Sequence, residues 1–233
     1  MEPILEVRNL TVKFEEGSQK ELTAVNGVSF CLYPRETLGI VGESGSGKST
    51  IARAVTRLVK ISEGEILLKG RDITHVKGKA LRDIYRSLQM VFQSPAASFD
   101  PRRTLGDGIG ESLRNCGMGK ARRDEAAEKL LLSCGLPEEF AHRYPHEVSG
   151  GQCQRAAIAR ALAVEPEILI CDEATSALDV TVQAQVMELL TRLRQQHRMS
   201  CLFISHDLAL VQSFCDRVLV MKDGRLVEEG TPD

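Results

Sequence analysis

The chain has 233 residues, 42% of them hydrophobic and 27% charged, which is the composition of an ordinary globular protein large enough for one domain with a substantial core. Thirty basic against 32 acidic side chains leave a formal charge of −2, which removes bulk positive charge as a route to nucleic-acid binding. No stretch approaches the about 20 apolar residues of a membrane-spanning helix, and the opening MEPILEVRNL lacks the basic and long apolar regions of a secretory leader, so any action at a membrane is expected to run through partners.

Residues 1–40 alternate short β-like segments, ILEVR, LTVKF and VSFCL, with polar turns such as EEGSQKE, which predicts a small antiparallel β region. TLGIV (Thr37–Val41) is a short apolar run ending at a glycine; after the loop that follows, KSTIARAVTRLVK places Ile51, Ala54, Val55, Leu58 and Val59 at helical spacing. GEILLKGRDIT and LQMVF read as further strands. Residues 104–163 hold no convincing β run, and RDEAAEKLLLSCGL, with Gly135 as its stop, marks that stretch as a helical lobe. From Glu167 the alternation resumes with EILICD, then TVQAQVMELLTRLRQQH with Val182, Val186, Leu189, Leu190 and Leu193 on one face, then CLFIS, RVLVM and a DG turn into RLVEEG. Short apolar strands alternating with amphipathic helices imply an α/β fold with a largely parallel sheet covered on both faces. The seven cysteines form no C-x-x-C pair and several sit in apolar runs, so they are expected to be buried, reduced thiols, which favours the cytosol.

Gly42-Glu43-Ser44-Gly45-Ser46-Gly47-Lys48-Ser49, followed by Thr50, fills every fixed position of G-x-x-x-x-G-K-[ST], between a predicted strand and a predicted helix. Glycines there let backbone N–H groups turn around phosphate oxygens, Lys48 reaches the β- and γ-phosphates, and the Ser49 hydroxyl is a Mg²⁺ ligand. ILICDE (Ile168–Glu173) ends a predicted buried strand in two carboxylates, Asp172 placed for Mg²⁺ and Glu173 for polarising a water. Such a strand alone is common; beside an intact P-loop it points to nucleotide hydrolysis. His206, after CLFIS, also falls at the carboxyl end of a predicted core strand, where sites of open parallel sheets gather, whereas His75, His142, His146 and His197 read as surface or packing residues. Gln93 ends a strand at the border of the helical lobe. VSGGQCQRAAIARAL (Val148–Leu162) puts Gly150 and Gly151 behind Ser149 at a helix start, a second geometry suited to anions.

Together these motifs resemble the ATP-binding-cassette ATPases over essentially the whole chain. VSGGQ (Val148–Gln152) is similar to that family's signature, with Val148 in place of the commonest leucine, and it stands between a P-loop and DEATSALD as the signature does. The resemblance implies one cassette over residues 1–233: a P-loop NTPase core with its β region, formed by 1–93 and 164–233, and an inserted helical signature subdomain at 94–163. It implies ATP and Mg²⁺ as cofactors, Gln93 as the glutamine that joins Mg²⁺ to the helical lobe, Asp172 as a metal residue and Glu173 as general base. SALD (Ser176–Asp179) corresponds to the D-loop, His206 to the histidine on the γ-phosphate, and Phe14 to an adenine-stacking aromatic where tyrosine is more frequent. Two such domains are expected to close head to tail, so that Ser149, Gly150 and Gly151 contact the opposite γ-phosphate, with Gln152 and Asp179 counted in the same nucleotide site.

LGIVGESGSGKST, MVFQSPAASFDPRRTLGDGIGE and above all the run Gln93–Arg102 resemble the peptide and nickel importer branch. That branch implies a second, non-identical ATPase subunit, a pair of integral-membrane permeases and an extracytoplasmic substrate-binding protein, with the ATPase on the cytoplasmic face of the membrane. Branch members commonly continue beyond the EEG region, whereas this sequence ends at Asp233. The runner-up reading is a cassette outside transport, such as an accessory subunit of a soluble phosphonate-cleaving complex; an ATP-binding module without turnover is disfavoured by Glu173 and His206 together. No residue names the cargo, and dipeptide, oligopeptide, nickel and other metal chelates stay open.

Overall fold

A computed structural model of the chain, which describes residues 1–16 and 20–232, builds it on two sheets. One is a six-stranded sheet made from β3 (Thr37–Gly42), β6 (Leu88–Val91), β7 (Ile168–Asp172), β8 (Ser200–Ile204), β9 (Arg217–Lys222) and β10 (Arg225–Gly230), in the order β10-β9-β3-β8-β7-β6. Its pairings are parallel apart from β10, which returns antiparallel on β9. The two residues between β9 and β10, Asp223 and Gly224, have φ of 47° and 76°, the positive pair that a tight hairpin matched to strand twist requires.

All five residues of β7 and of β8 are buried, and alternate side chains go to opposite faces. Ile168, Ile170, Leu202 and Ile204 pack with α1 (Lys48–Val55) and with the second sheet. Leu169, Cys171, Cys201 and Phe203 pack instead with α5 (Gly150–Leu162), α6 (Val180–His197) and α7 (Leu208–Phe214). Covering both faces is what lets a strand read as an unbroken apolar run.

The second sheet is antiparallel, in the order β2-β1-β4-β5, from β1 (Leu5–Glu16), β2 (Lys20–Leu32), β4 (Glu63–Leu68) and β5 (Arg71–Asp72). ILEVR and LTVKF are not two strands joined by a turn: they fuse into β1, and the polar break is absorbed by register shifts around Asn9, whose φ is 48°. VSFCL is the second half of β2. Of the expected turn EEGSQKE, residues 17–19 lie outside the described residues.

Between Thr104 and Ala163 the chain forms α3 (Leu105–Asn115), α4 (Lys120–Ser133) and α5, with no strand among the described residues. Thr104 caps α3 by accepting the Asp107 N–H at 3.2 Å. The stop at Gly135 is a left-handed cap, with φ of 73°, Gly135 N–H on Leu132 O and Leu136 N–H on Leu131 O, both 2.9 Å.

α1 is shorter than its periodicity predicts. It ends at Val55 because Arg57 adopts φ of 61°, with Arg57 N–H on Ala54 O at 3.0 Å and Leu58 N–H on Arg53 O at 2.8 Å; Leu58 is left exposed. Two helices, α2 (Gly78–Ser87) and α7, are additions to the sequence reading; α2 buries Ile84 fully and packs Leu81 beside it on a short stripe. Five of the seven cysteines are buried as expected, with burial pushing the Cys134 thiol up to about 11, but Cys116 is exposed and Cys31 only partly covered. No helix among the described residues is long and apolar enough to cross a membrane.

Phe203 is 1% exposed and meets Phe214 edge to face, with ring centroids 5.1 Å apart. Phe203→Ala is expected to lower unfolding free energy by about 3–5 kcal/mol in a denaturant titration. A loss below about 1 kcal/mol would show that the α7 face of the sheet repacks and is not part of the close-packed core.

Candidate nucleotide site

The P-loop links β3 to α1, and its glycines do two different things. At Gly42 (φ 148°) a Cβ would lie 2.1 Å from Met221 O, and at Gly47 (φ 101°) 2.3 Å from Ala24 O, so these two positions seat the loop against β9 and β2. Gly45 (φ 81°) has open space around it and lets the exposed arch Glu43-Ser44-Gly45 turn its backbone outward. Gly47 caps α1 without a side chain, so the N–H groups of Lys48, Ser49 and Thr50 have no partner within the helix.

Lys48 is 4% exposed, and its ammonium donates to Gly42 O at 2.8 Å, Glu43 O at 2.7 Å and Ser46 Oγ at 3.4 Å. Burial lowers its pKa, while the nearby Glu173 and Asp172 oppose that shift. The Ser49 hydroxyl donates to Asp172 Oδ1 at 2.7 Å. Asp172 is 3% exposed, and burial raises its pKa against the pull of Ser49, Arg53 and Lys48.

Glu173 follows β7 in the left-handed region (φ 48°), which is rare for a residue with a side chain and marks a local constraint. Its N–H continues the ladder to Ile204 O at 2.9 Å. Its carboxylate accepts from Gln93 Nε2 at 2.9 Å and lies 3.5 Å from His206 Nδ1. Gln93, Glu173 and His206 each come just after a strand, β6, β7 and β8, and these are adjacent and parallel, so their carboxyl ends share one edge. Asp207 caps α7 by accepting from Ala209 and Leu210 N–H at 3.0 and 3.3 Å, which fixes the backbone next to His206.

The other nominated residues sit elsewhere. Ser149 caps α5 in a reciprocal box: Gln152 N–H donates to Ser149 Oγ at 3.3 Å, and Ser149 N–H to Gln152 Oε1 at 2.9 Å. The Gln152 side-chain oxygen is thereby engaged at the helix start. Ser149 and Gly150 are exposed, whereas Gly151 is buried where a Cβ would lie 2.3 Å from Val182 Cγ1. Asp179 is exposed and caps α6 through Val182 N–H at 3.0 Å. Phe14 is exposed on β1, opposite Leu22 of β2. Among the described residues no hydrogen bond or ion pair joins Ser149, Gly150, Gly151, Gln152 or Asp179 to the P-loop.

Arg53 was not singled out from the sequence. It stands one turn after Ser49 on α1, acts on Asp172 electrostatically, and shares with Phe92, Gln93 and Asp172 the wall of a pocket of about 450 Å³. Its i, i+4 relation to Ser49 was the available signal. The paired oxygens of Ser49 and Asp172 suit a hard divalent cation, and among the described residues no cluster of three or more His, Cys, Asp or Glu side chains exists to hold a metal unaided. A cation here would complete its shell with oxygens from outside these side chains, such as water or phosphate.

Residues 25–176 match the family described as ABC transporter. The oligopeptide transport ATP-binding protein OppF of Salmonella typhimurium is 48% identical over 99% of this chain and 72% of its own length, and that of Escherichia coli likewise. The glutathione import ATP-binding protein GsiA of Salmonella typhimurium is 48% identical over 98% of this chain, which spans 38% of that protein. Among solved structures, the dimeric post-hydrolysis state of the ATP-binding cassette MJ0796 bound to ADP and Pi superposes with a TM-score of 0.89 at 30% identity, over 98% of this chain and 99% of that one. With this agreement of pattern, sequence and shape, the chain belongs to the ABC transporter family.

Proposed function

We propose that the chain is the ATP-hydrolysing subunit of an importer of peptides, acting at the cytoplasmic face of a membrane through two permeases and an extracytoplasmic binding protein, and paired with a second ATPase subunit. The observation that carries the catalytic part is the Glu173 carboxylate, held by Gln93 and His206 beside the Ser49–Asp172 pair at the P-loop. The relatives above are named for oligopeptides and glutathione, which makes peptides the proposed cargo in preference to nickel.

In this reading Lys48 exchanges its contacts with the loop carbonyls for phosphate oxygens, and the free N–H groups at the start of α1 join it. Ser49 and Asp172, with Gln93, would hold Mg²⁺, which neutralises phosphate charge when bound. Glu173 orients the attacking water and takes its proton, while His206 and Gln93 fix the carboxylate. Catalysis is then positioning and electrostatics, as phosphoryl transfer demands.

The exposed start of α5 serves the second cassette. Ser149 and Gly150 are open to solvent and unconnected to their own P-loop, which fits a head-to-tail pair in which each signature helix completes the other subunit's site. The dimeric cassette that superposes on this chain supports such pairing. The division of labour follows: residues 1–93 and 164–233 bind and hydrolyse, and residues 94–163 present the signature and meet the permeases.

Glu173→Gln is expected to cut ATP hydrolysis by about 10²–10⁴-fold while leaving ATP binding intact, and to accumulate an ATP-dependent dimer on size exclusion. Turnover within about tenfold of the unaltered chain would remove Glu173 as the base. In vesicles carrying the permeases, with binding protein and a labelled peptide, uptake is expected only when ATP is supplied on the cassette side. Uptake independent of ATP, or co-purification with soluble enzymes and no permease, would overturn the importer assignment.

A further inference from the structure

Arg160, near the end of α5, holds a guanidinium with no carboxylate within ion-pair distance among the described residues; Glu111 acts on it only from afar. Burial pushes its pKa down from the usual value. A cation largely withdrawn from water without a counter-ion is costly, so its neighbours must supply the compensation. Both edges of its fork go to one residue: Nη1 donates to Ser98 O and Nη2 to Ser98 Oγ at 2.9 Å. Its face covers the Phe99 ring, with the guanidinium carbon 4.4 Å from the centroid.

Phe99 is 5% exposed and is also packed on Gly108 of α3, where an added Cβ would come within 2.6 Å of its ring. The Ser98 hydroxyl in turn donates to Pro95 O at 2.6 Å, and Ser98 N–H to the same carbonyl at 3.0 Å. Arg160 thus grips a short turn that begins two residues after Gln93, and Gln93 is the side chain bonded to Glu173. Only a planar fork makes both Ser98 contacts and the stack at once; a lysine keeps the charge and loses both geometries.

We infer that Arg160 is a positioning residue: it clamps the Pro95–Phe99 segment so that Gln93 stays on Glu173, and it ties that glutamine to the same helix whose first turn carries Ser149. The inference rests on the reading of Glu173 as the base. Ser149 and Arg160 are separated by eleven residues of one helix, about 16 Å, a span that moves as a rigid rod.

The test uses the full chain with Arg160→Lys, Gln93→Ala and the double variant, reading MgATP turnover and, without nucleotide, amide hydrogen exchange at Ser98 and Phe99. Arg160→Lys is expected to lower kcat about tenfold with KM for ATP within about twofold, and to leave kcat unchanged within about twofold when Gln93 is already alanine. Exchange at Ser98 and Phe99 is expected to rise about tenfold, with β7 and β8 unaffected. A purely structural residue gives the same fractional loss in both backgrounds, and that result, or unchanged kcat and exchange, overturns the inference. Should Arg160→Lys not fold, Ser98→Ala carries the same cycle with an expected loss of about threefold. If Glu173→Gln turns over like the unaltered chain, the reading of Glu173 fails, while the exchange measurement still judges the clamp.

Discussion

The hydrogen bond from Ser49 to Asp172 ties the first turn of α1 to the carboxyl end of β7, and the rest of the site is arranged around it. Asp172 ends a strand whose other four residues are apolar and buried, so its charge has few ways to be satisfied. One hydroxyl, with Lys48 and Arg53 at longer range, is all the compensation it receives, and burial still holds its pKa up. A carboxylate left this hungry favours the arrival of a cation that brings phosphate oxygens with it. The same strand end delivers Glu173 one residue later in the left-handed region, and on the proposed reading this would separate metal holding from water activation with no extra loop.

The antiparallel sheet has a share in this geometry. Gly47 rests on Ala24 O of β2, Gly42 on Met221 O of β9, and Gly224 N–H reaches Ser46 O at 3.1 Å. The P-loop is therefore backed by both sheets, and its conformation is set by backbone contacts that tolerate no Cβ. A second tie, Asn26 N–H to Gly224 O at 2.8 Å, joins β2 to the β9–β10 hairpin directly behind the loop. Rigidity there means that the phosphate-facing amides need little reordering when an anion arrives, which is the preorganisation electrostatic catalysis exploits.

The strands β7 and β8 were legible in the sequence because both of their faces are buried, and the site followed from them because ligands gather at the carboxyl ends of adjacent parallel strands. The capped start of α5 was legible for a chemical reason, since Ser149 is a good N-cap; Asp179 caps α6 in the same way, two residues before the TVQAQ pattern starts. Helix ends were harder. α1 ends at Val55 because Arg57 is left-handed without being glycine, so no residue type announced the stop, whereas α6 ends at His197 as its pattern predicts. α2 is short and fully buries a single side chain, so its stripe of Leu81, Ile84 and Tyr85 at i, i+3 and i+4 is easily passed over. In β1, a bulge at Asn9 looked like the end of one strand and the start of another. The glutamine of the signature illustrates a different limit: the resemblance counts Gln152 in the nucleotide site, and that its Oε1 also closes the capping box is visible only in three dimensions.

Read as a lone molecule, several features look wasteful. Ser149 and Gly150 present an anion-suited helix start to solvent, Arg160 is withdrawn from water with no counter-ion, and Val180 and Leu208 are 81% and 67% exposed immediately beyond Asp179 and close behind His206. Apolar side chains bordering polar site residues are the usual mark of a surface that becomes covered. In the proposed head-to-tail pair each cost would have a use: the open helix start would meet the other subunit's phosphates, and the apolar flanks would leave water as the two faces close. Arg160 joins the far end of that same helix to the Gln93 segment, and under the proposed pairing this would let closure of one site be felt at the other. On that proposal the contacts along α5 would couple two hydrolytic centres, and the coupling would need no element beyond the helix, a serine and a phenylalanine.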